Sequence, residues 1–533
     1  MSKRKHFRDL DQPLLYTDHR PLTRRSLIAQ GIKSGVASVV GGGVFSLFAN
    51  PQQARAALSA DVQSVMDNVC GGISSAERIP FICFDLAGGA NIAGSNVLIG
   101  KRGGQLDFLS TAGYNKQGLP GDMVPQVADA QTGATDFVNT DLGLAFHSDS
   151  GFLSGILEKV SADTASRING AVIPARSEND TSNNPHNPMY GINIAGGEGE
   201  LVTLVGSRSS ESGGNSEAPV SMINPEVRPT KVDRSSDVTG LVDTGQLVGL
   251  LNQEDTVAVM ESIYRISNSK LGAVNTNITA DDVMKDLVRC GYVKAADLAD
   301  RFGNPADLNP ESDPDLVGPA GVFSVDEFNS DREFEKAASI AKLVVNGYSA
   351  AGTITMGGYD YHTGDRATGE LRDLRAGRCM GACLEYAAKR GKPLMMYVYS
   401  DGSVFSNGMT DDSENGRGKG VWTGDNQQTA GSFFLVYNPG SRAILMGADA
   451  QAQAMHQQLG FMRDSGDVET ASSPAANNVN LLVETVVLNY LALHNLHGNF
   501  ETLFPNHGLG NATSRDGMTA FEPIFNGNIS TPI

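Results

Sequence analysis

The chain predicts an α/β fold with a largely parallel central sheet flanked by helices and carrying a helical insertion. Three observations predict it. Continuous apolar runs that end in a polar residue or glycines recur along the chain: "IPFICFDLAGG", "VTLVG", "GTITMGG", "LMMYVYSDG" and "GSFFLVYNPG", the last followed by "AILMG". A run without polar alternation reads as a strand covered on both faces. Between two of these runs lies "DRATGELRDLRAGRCMGACLEYAAKRGK", a helix that Gly-Lys-Pro ends, so the local order is strand, helix, strand. Finally, "EDTVAVMESIYRI", "TADDVMKDLVRCGYV" and "DREFEKAASIAKLVV" all show helical spacing, which makes residues 245–345 a helical insertion.

The first 56 residues stand apart. They hold nine Lys/Arg against three Asp/Glu, while the whole chain of 533 residues has a net charge of −19. The stretch "LTRRSLIA" with Arg24 and Arg25 adjacent, the Gly-rich apolar run "GVASVVGGGVFSLFAN" and "ARA" at 54–56 have the layout of a twin-arginine export signal with its cleavage site. The expected mature chain therefore starts near Ala57, is one α/β domain over 57–533, and works in the periplasm or outside the cell. The expected partner on that route is the twin-arginine export machinery.

From there the elements follow in order. "LSADVQSVMDNV" is a short helix with a Ser cap. "FICFDLAGGAN" is a buried strand whose C-terminal end delivers Asp85. "LAFHSDSGFLSGIL" sets His147, Ser148, Asp149 and Ser150 before a helix, where backbone N–H groups and the helix dipole favour an anion. The same residue types are what a helix N-cap requires. The loop "RSENDTSNNPHNPMYG" is long and Asn-rich and brings His186 as a site wall beside His147. "TMGGYDYHTGD" alternates Asp360 and His362 in an extended segment, so both side chains face one way. The next strand delivers Asp401. In parallel sheets ligands collect at the carboxyl ends of the strands, which is where Asp85, Asp360 and Asp401 fall. One imidazole among hard oxygens suits a divalent ion such as Zn²⁺ or Mn²⁺.

Bulk properties exclude some classes. An acidic body repels phosphate backbones, so nucleic acid is not an expected partner. "NVNLLVETVVLNYLALHNL" is apolar, but Asn480, Glu484 and Asn489 interrupt it, so it reads as a core helix and not as a transmembrane segment. Five cysteines in so long a chain do not read as a disulfide framework, and Cys379 and Cys383 read as packed thiols. His456, His494, His497 and His507 read as structural.

As an ordered set, these islands resemble the alkaline phosphatase-like superfamily and, within it, the twin-arginine-exported family called domain of unknown function 1501. "FICFDLAGGAN" is similar to the family's opening strand and Gly-Gly turn, "LAFHSDSGFLSGIL" to its Leu-His-Pro segment, and "RSENDTSNNPH" to its Arg-Ser-His-Phe segment. "GGYDYHTG" resembles its Gly-Trp-Asp-Thr-His, "YSDGSVFSNG" its Ser-Glu-Phe-Gly-Arg, and "TGDNQQTAGSFFLV" its Gly-Thr-Asp-His-Gly. The resemblance implies metal ligands at Asp85, Asp360, His362, Asp401 and Asp425, and a nucleophile at Ser148 or Ser150. Two positions depart from the pattern. Asp425-Asn426-Gln427 lacks the family's histidine, and Glu178 stands where a histidine follows Arg-Ser, unless His186 takes over. Each departure shifts the ligand set from nitrogen toward oxygen, and so toward Mg²⁺ or Ca²⁺, or toward no catalytic metal at all.

Two functions remain open on the sequence. One is an exported metal-dependent hydrolase of phosphate or sulfate esters, a small anionic ester being its substrate. The other is a catalytically degenerate relative with a binding or assembly role in the cell envelope. Convergence of Asp85, Asp360, His362 and Asp401 on one ion would favour the first, and an Asp85 turned to another task the second.

Overall fold

The computed structural model describes residues 58–70, 77–125, 137–177, 184–242, 253–274, 281–302 and 305–533. The expected export signal and Glu178 lie outside the described residues. The chain divides into two compact units, one of Met1–Ile73 with Thr239–Asp307, the other of Ser74–Val238 with Leu308–Ile533.

The larger unit is built on a sheet. Its strands are β1 (Phe81–Leu86), β4 (Ile168–Ile173), β5 (Val202–Gly206), β6 (Thr230–Lys231), β7 (Ser349–Met356), β8 (Leu394–Ser400) and β11 (Ser432–Tyr437), and three small antiparallel pairs stand apart from it among the described residues: β2 (Val138–Asn139) with β3 (Phe146–His147), β9 (Ser403–Asp411) with β10 (Lys419–Asn426), and β12 (Phe525–Asn526) with β13 (Asn528–Pro532). The seven-stranded sheet has the order β4-β11-β8-β1-β7-β5-β6. All its neighbours pair parallel except that β11 runs antiparallel to both β8 and β4. The sheet is thus mostly parallel, as the uninterrupted apolar runs predict, and every residue of β1, β7, β8 and β11 is buried.

Both faces are covered. Phe81, Cys83, Tyr397 and Phe434 share one core with Met189, Ile192, Val483, Val487 and Tyr490, which places the helices Met189–Ile194 and Val479–Leu493 on that face. On the other face the helix Arg332–Val345 lies so close to β7 that a Cβ at Gly352 would stand 2.4 Å from Ile340, so only glycine permits the approach. The crossover helix Arg366–Lys389 joins β7 to β8 as the strand-helix-strand pattern requires. Cys379 and Cys383 are free, buried thiols on it. No described helix is long and apolar enough to cross a membrane.

One expectation about strands changes, and two further elements carry no strand signal in the sequence. "AILMG" is no strand, and only Leu445 bridges, to Phe521. Strand β4, "INGAVI", was hidden because Asn169 and Gly170 break its apolar run, and Asn169 is satisfied by donating to the Ala443 carbonyl at 2.8 Å. The β9–β10 hairpin carries Asn407, Thr410, Thr423 and Asp425 on its outer half, so it has no apolar period.

The smaller unit packs the helices Ala60–Asn68, Gln253–Gly272 and Asp281–Arg301 around Val62, Met66, Met260, Tyr264, Val293 and Ala296. It contains one disulfide, Cys70–Cys290, which the sequence reading did not single out; its partners are 220 residues apart, so no local spacing announces it. Ser59 precedes its helix but makes no side-chain cap; its backbone N–H and hydroxyl both donate to Glu261 at 2.7 Å. The third helix of the expected insertion, Arg332–Val345, is assigned to the sheet unit. A disulfide is compatible with an exported protein.

Candidate metal centre

The carboxyl ends of β1, β7 and β8 lie side by side, with Leu86 in register with Met356 on one side and Ser400 on the other. The turn after β1 sets the geometry of this rim. Ala87 donates to the Met356 carbonyl at 3.0 Å and Tyr359 donates back to Ala87 at 3.2 Å, so the segments leaving β1 and β7 run together. Gly88 has φ +118°, and a Cβ there would sit 2.7 Å from the Asp360 nitrogen, so a side chain would displace Asp360.

From Tyr359 the side chains alternate. Tyr359 and Tyr361 are fully buried, while Asp360 and His362 point outward. The Tyr361 hydroxyl accepts from Asn91 N at 2.8 Å and the Tyr359 hydroxyl donates to the Arg372 carbonyl at 3.0 Å, which fixes the inner pair. Gly364 N then bonds the Trp422 carbonyl at 2.8 Å and ties this loop to β10, whose Asp425 projects beside His362.

The outcome is a three-ligand cluster of Asp360, His362 and Asp425, whose ligand atoms all lie within 4.8 Å of one another. His362 Nε2 is 2.8 Å from Asp360 Oδ1 and 3.6 Å from Asp425 Oδ2. Two ligands of a tetrahedral ion at ~2.1 Å stand about 3.4 Å apart, so modest side-chain shifts bring the set to coordination distance. Two carboxylate oxygens and one imidazole nitrogen fit a borderline or hard divalent ion, and three ligands leave coordination positions for water. The trio sits at the surface: the side chains are 65%, 31% and 32% exposed for Asp360, His362 and Asp425.

Asp85 and Asp401 are not part of this cluster. Asp85 is fully buried, and both its oxygens are engaged: Oδ2 accepts from Asn215 N at 2.6 Å, Ser216 N at 2.9 Å and the Thr355 hydroxyl at 3.4 Å, and Oδ1 from the Ser216 hydroxyl at 3.2 Å. Burial pushes its pKa up, and the donated backbone hydrogen bonds oppose that rise. Asp401 is also buried; it accepts from Gly88 N at 2.7 Å and from Asn215 Nδ2 at 3.3 Å, and its carbonyl accepts from Asn184 Nδ2 at 2.7 Å. Asn215 therefore bridges the two aspartates. The Ser/Gly-rich loop after β5 was visible in the sequence, but not that its backbone amides would take Asp85.

Ser150 is buried and caps the helix Gly151–Lys159: its Oγ accepts from Leu153 N at 3.1 Å and donates to Asn96 Oδ1 at 2.7 Å. That task takes both its proton and a lone pair. Ser148 is exposed. Near it Asp149 is paired with Arg417 at 3.1 Å and with buried Lys419 at 3.4 Å, and Lys419 also bonds Glu370 at 2.9 Å. His147 is buried, stacked on Phe137, with Nε2 2.9 Å from the Met123 carbonyl and Nδ1 accepting from Asp149 N; burial lowers its pKa to about 4. His186 is buried and stacked on Tyr399, neither ring nitrogen has a hydrogen-bond partner among the described residues, and burial lowers its pKa to about 3. Neither histidine belongs to the cluster. His494 and His456 are satisfied by backbone groups, as structural histidines should be.

No family profile, curated protein or solved structure matches the chain.

Proposed function

We propose that this is an exported envelope protein that binds one divalent cation through Asp360, His362 and Asp425, and whose role is binding or assembly, with the fold of a metal hydrolase but without its deep ligand set. The observation that carries this reading is the state of Asp85: the carboxylate expected at the heart of a catalytic site is filled by the amides of residues 215 and 216. Rearranging it toward an ion would strand two buried N–H donors, at about 1–3 kcal/mol each. Export by the twin-arginine route, after folding and metal loading, fits such a protein.

A second reading has its own support. The trio is open to solvent, and three protein ligands with free positions is the arrangement in which a bound ion activates water. On that reading the protein hydrolyses a phosphate or sulfate ester with a metal-bound water as nucleophile, Ser150 being committed to its cap. The two separate in one experiment. Protein purified without chelator is analysed for metals, then assayed with p-nitrophenyl phosphate and sulfate under added Zn²⁺, Mn²⁺, Mg²⁺ and Ca²⁺. Bound cation without turnover is expected. Turnover lost in His362→Ala would establish the hydrolase, and the absence of any bound cation would remove both.

A further inference from the structure

A cavity of about 430 Å³ opens between Lys116, Arg176, Gln428, Arg463, Asp467 and Thr470. We propose that it is an anion site that takes the phosphate or sulfate group of a small dianion, and that it works independently of the cation centre. Its place follows from the topology. Arg176 lies three residues past the end of β4, and β4 runs parallel to β8 through the intervening antiparallel β11. Arg176 therefore stands at the same sheet rim as Asp401. Gln428 is three residues beyond Asp425, at most about 11 Å along the chain.

The electrostatics favour an anion. Three cations and a single carboxylate line the cavity of a chain whose net charge is −19. Lys116 is paired with Asp467, and Arg463 holds Glu469 with two hydrogen bonds, at 2.9 and 3.2 Å. Arg176 differs. Its Nη1 donates to Asn477 Oδ1 at 2.9 Å and its Nη2 to Gln427 Oε1 at 3.0 Å, both neutral amides, and Nε is a buried donor with no partner among the described residues. The guanidinium is thus oriented by two side chains while its charge meets no carboxylate among the described residues. A planar fork held in place beside two further cations is suited to a tetrahedral dianion, and Gln428 and Thr470 add neutral donors.

The test is titration calorimetry on the full protein in EDTA, which separates this site from the cation centre. Inorganic phosphate, sulfate and glycerol phosphate are the probes. Saturable binding is expected, with Arg176→Gln and Arg463→Gln each weakening it at least about tenfold and His362→Ala leaving it unchanged. Arg463 is more than half exposed, so its variant tests the site without endangering the fold. Tighter binding of glycerol phosphate assigns an ester and tighter binding of phosphate a free anion. No saturable binding by the wild type, unchanged affinity in both arginine variants, or loss of binding in His362→Ala would each overturn the proposal.

Discussion

Asp85 and Asp360 leave neighbouring parallel strands at one rim of one sheet, yet they have opposite fates. Asp85 is sealed in and saturated with donors from a loop 130 residues away, whereas Asp360 is 65% exposed and has His362 Nε2 close by, at 2.8 Å. The difference teaches what decides whether a strand-end carboxylate can hold an ion. Position on the fold brings both to the rim; the number of protein donors already on the oxygens determines which one a cation can recruit. Glu370 is a second interior example. It is buried against Arg366 at 2.6 Å and Lys419 at 2.9 Å, and despite burial the three cations around it hold its pKa at about 2.

If interior carboxylates are structural, removing them should cost stability and leave cation binding intact. The largest effect is expected at Glu370→Gln, which strands buried Arg366 without its counter-charge and leaves buried Lys419 with Asp149 alone, a loss of about 4 kcal/mol. The pH sign follows from the depressed pKa. The contribution is full above the unfolded value of about 4.5 and is lost as pH falls toward about 2. Urea midpoints of wild type and variant should therefore draw together as pH falls from about 4.5 toward about 2, and a constant gap over that range would refute the assignment. Asp85→Ala comes next, at about 3 kcal/mol, because two backbone donors lose their acceptor. Its cation affinity by calorimetry should equal wild type; a large drop would return Asp85 to the metal site.

The rim trio should behave in the reverse way. A cation that binds only the folded chain adds about 2.7 kcal/mol at a concentration one hundred times its Kd. Melting temperature should rise with added Zn²⁺ or Mn²⁺ in the wild type and stay flat in His362→Ala, whose metal-free stability should differ little because the site is at the surface. A rise of the same size in the variant would place the cation elsewhere.

The same contrast explains what the sequence could and could not reveal. The sheet was legible because β1, β7, β8 and β11 are buried on both faces and so carry unbroken apolar runs. Asp360 with His362 was legible because alternation in an extended segment is local. Asp425 came only through the family resemblance, since β10 lies in a polar hairpin with no apolar period. The fates of Asp85 and Asp401 were not legible at all. They depend on Asn215 and Ser216, and a Ser/Gly-rich loop states neither where it will fold nor which of its amides will point inward. Arg176 opens a polar loop and has no local signal of its own, since its amide partners Gln427 and Asn477 lie 251 and 301 residues on.

The smallest expected effects separate the two serines. Ser150→Ala removes the cap of the helix Gly151–Lys159 and should cost about 1 kcal/mol, seen as a lower denaturation midpoint. Ser148→Ala changes an exposed hydroxyl and should stay within about 0.5 kcal/mol of wild type. The pair also probes chemistry. Should the protein hydrolyse an ester, a metal-bound water as nucleophile requires that turnover survive Ser148→Ala. A rate that collapses in Ser148→Ala while the fold and the bound cation persist would instead make that hydroxyl the attacking group.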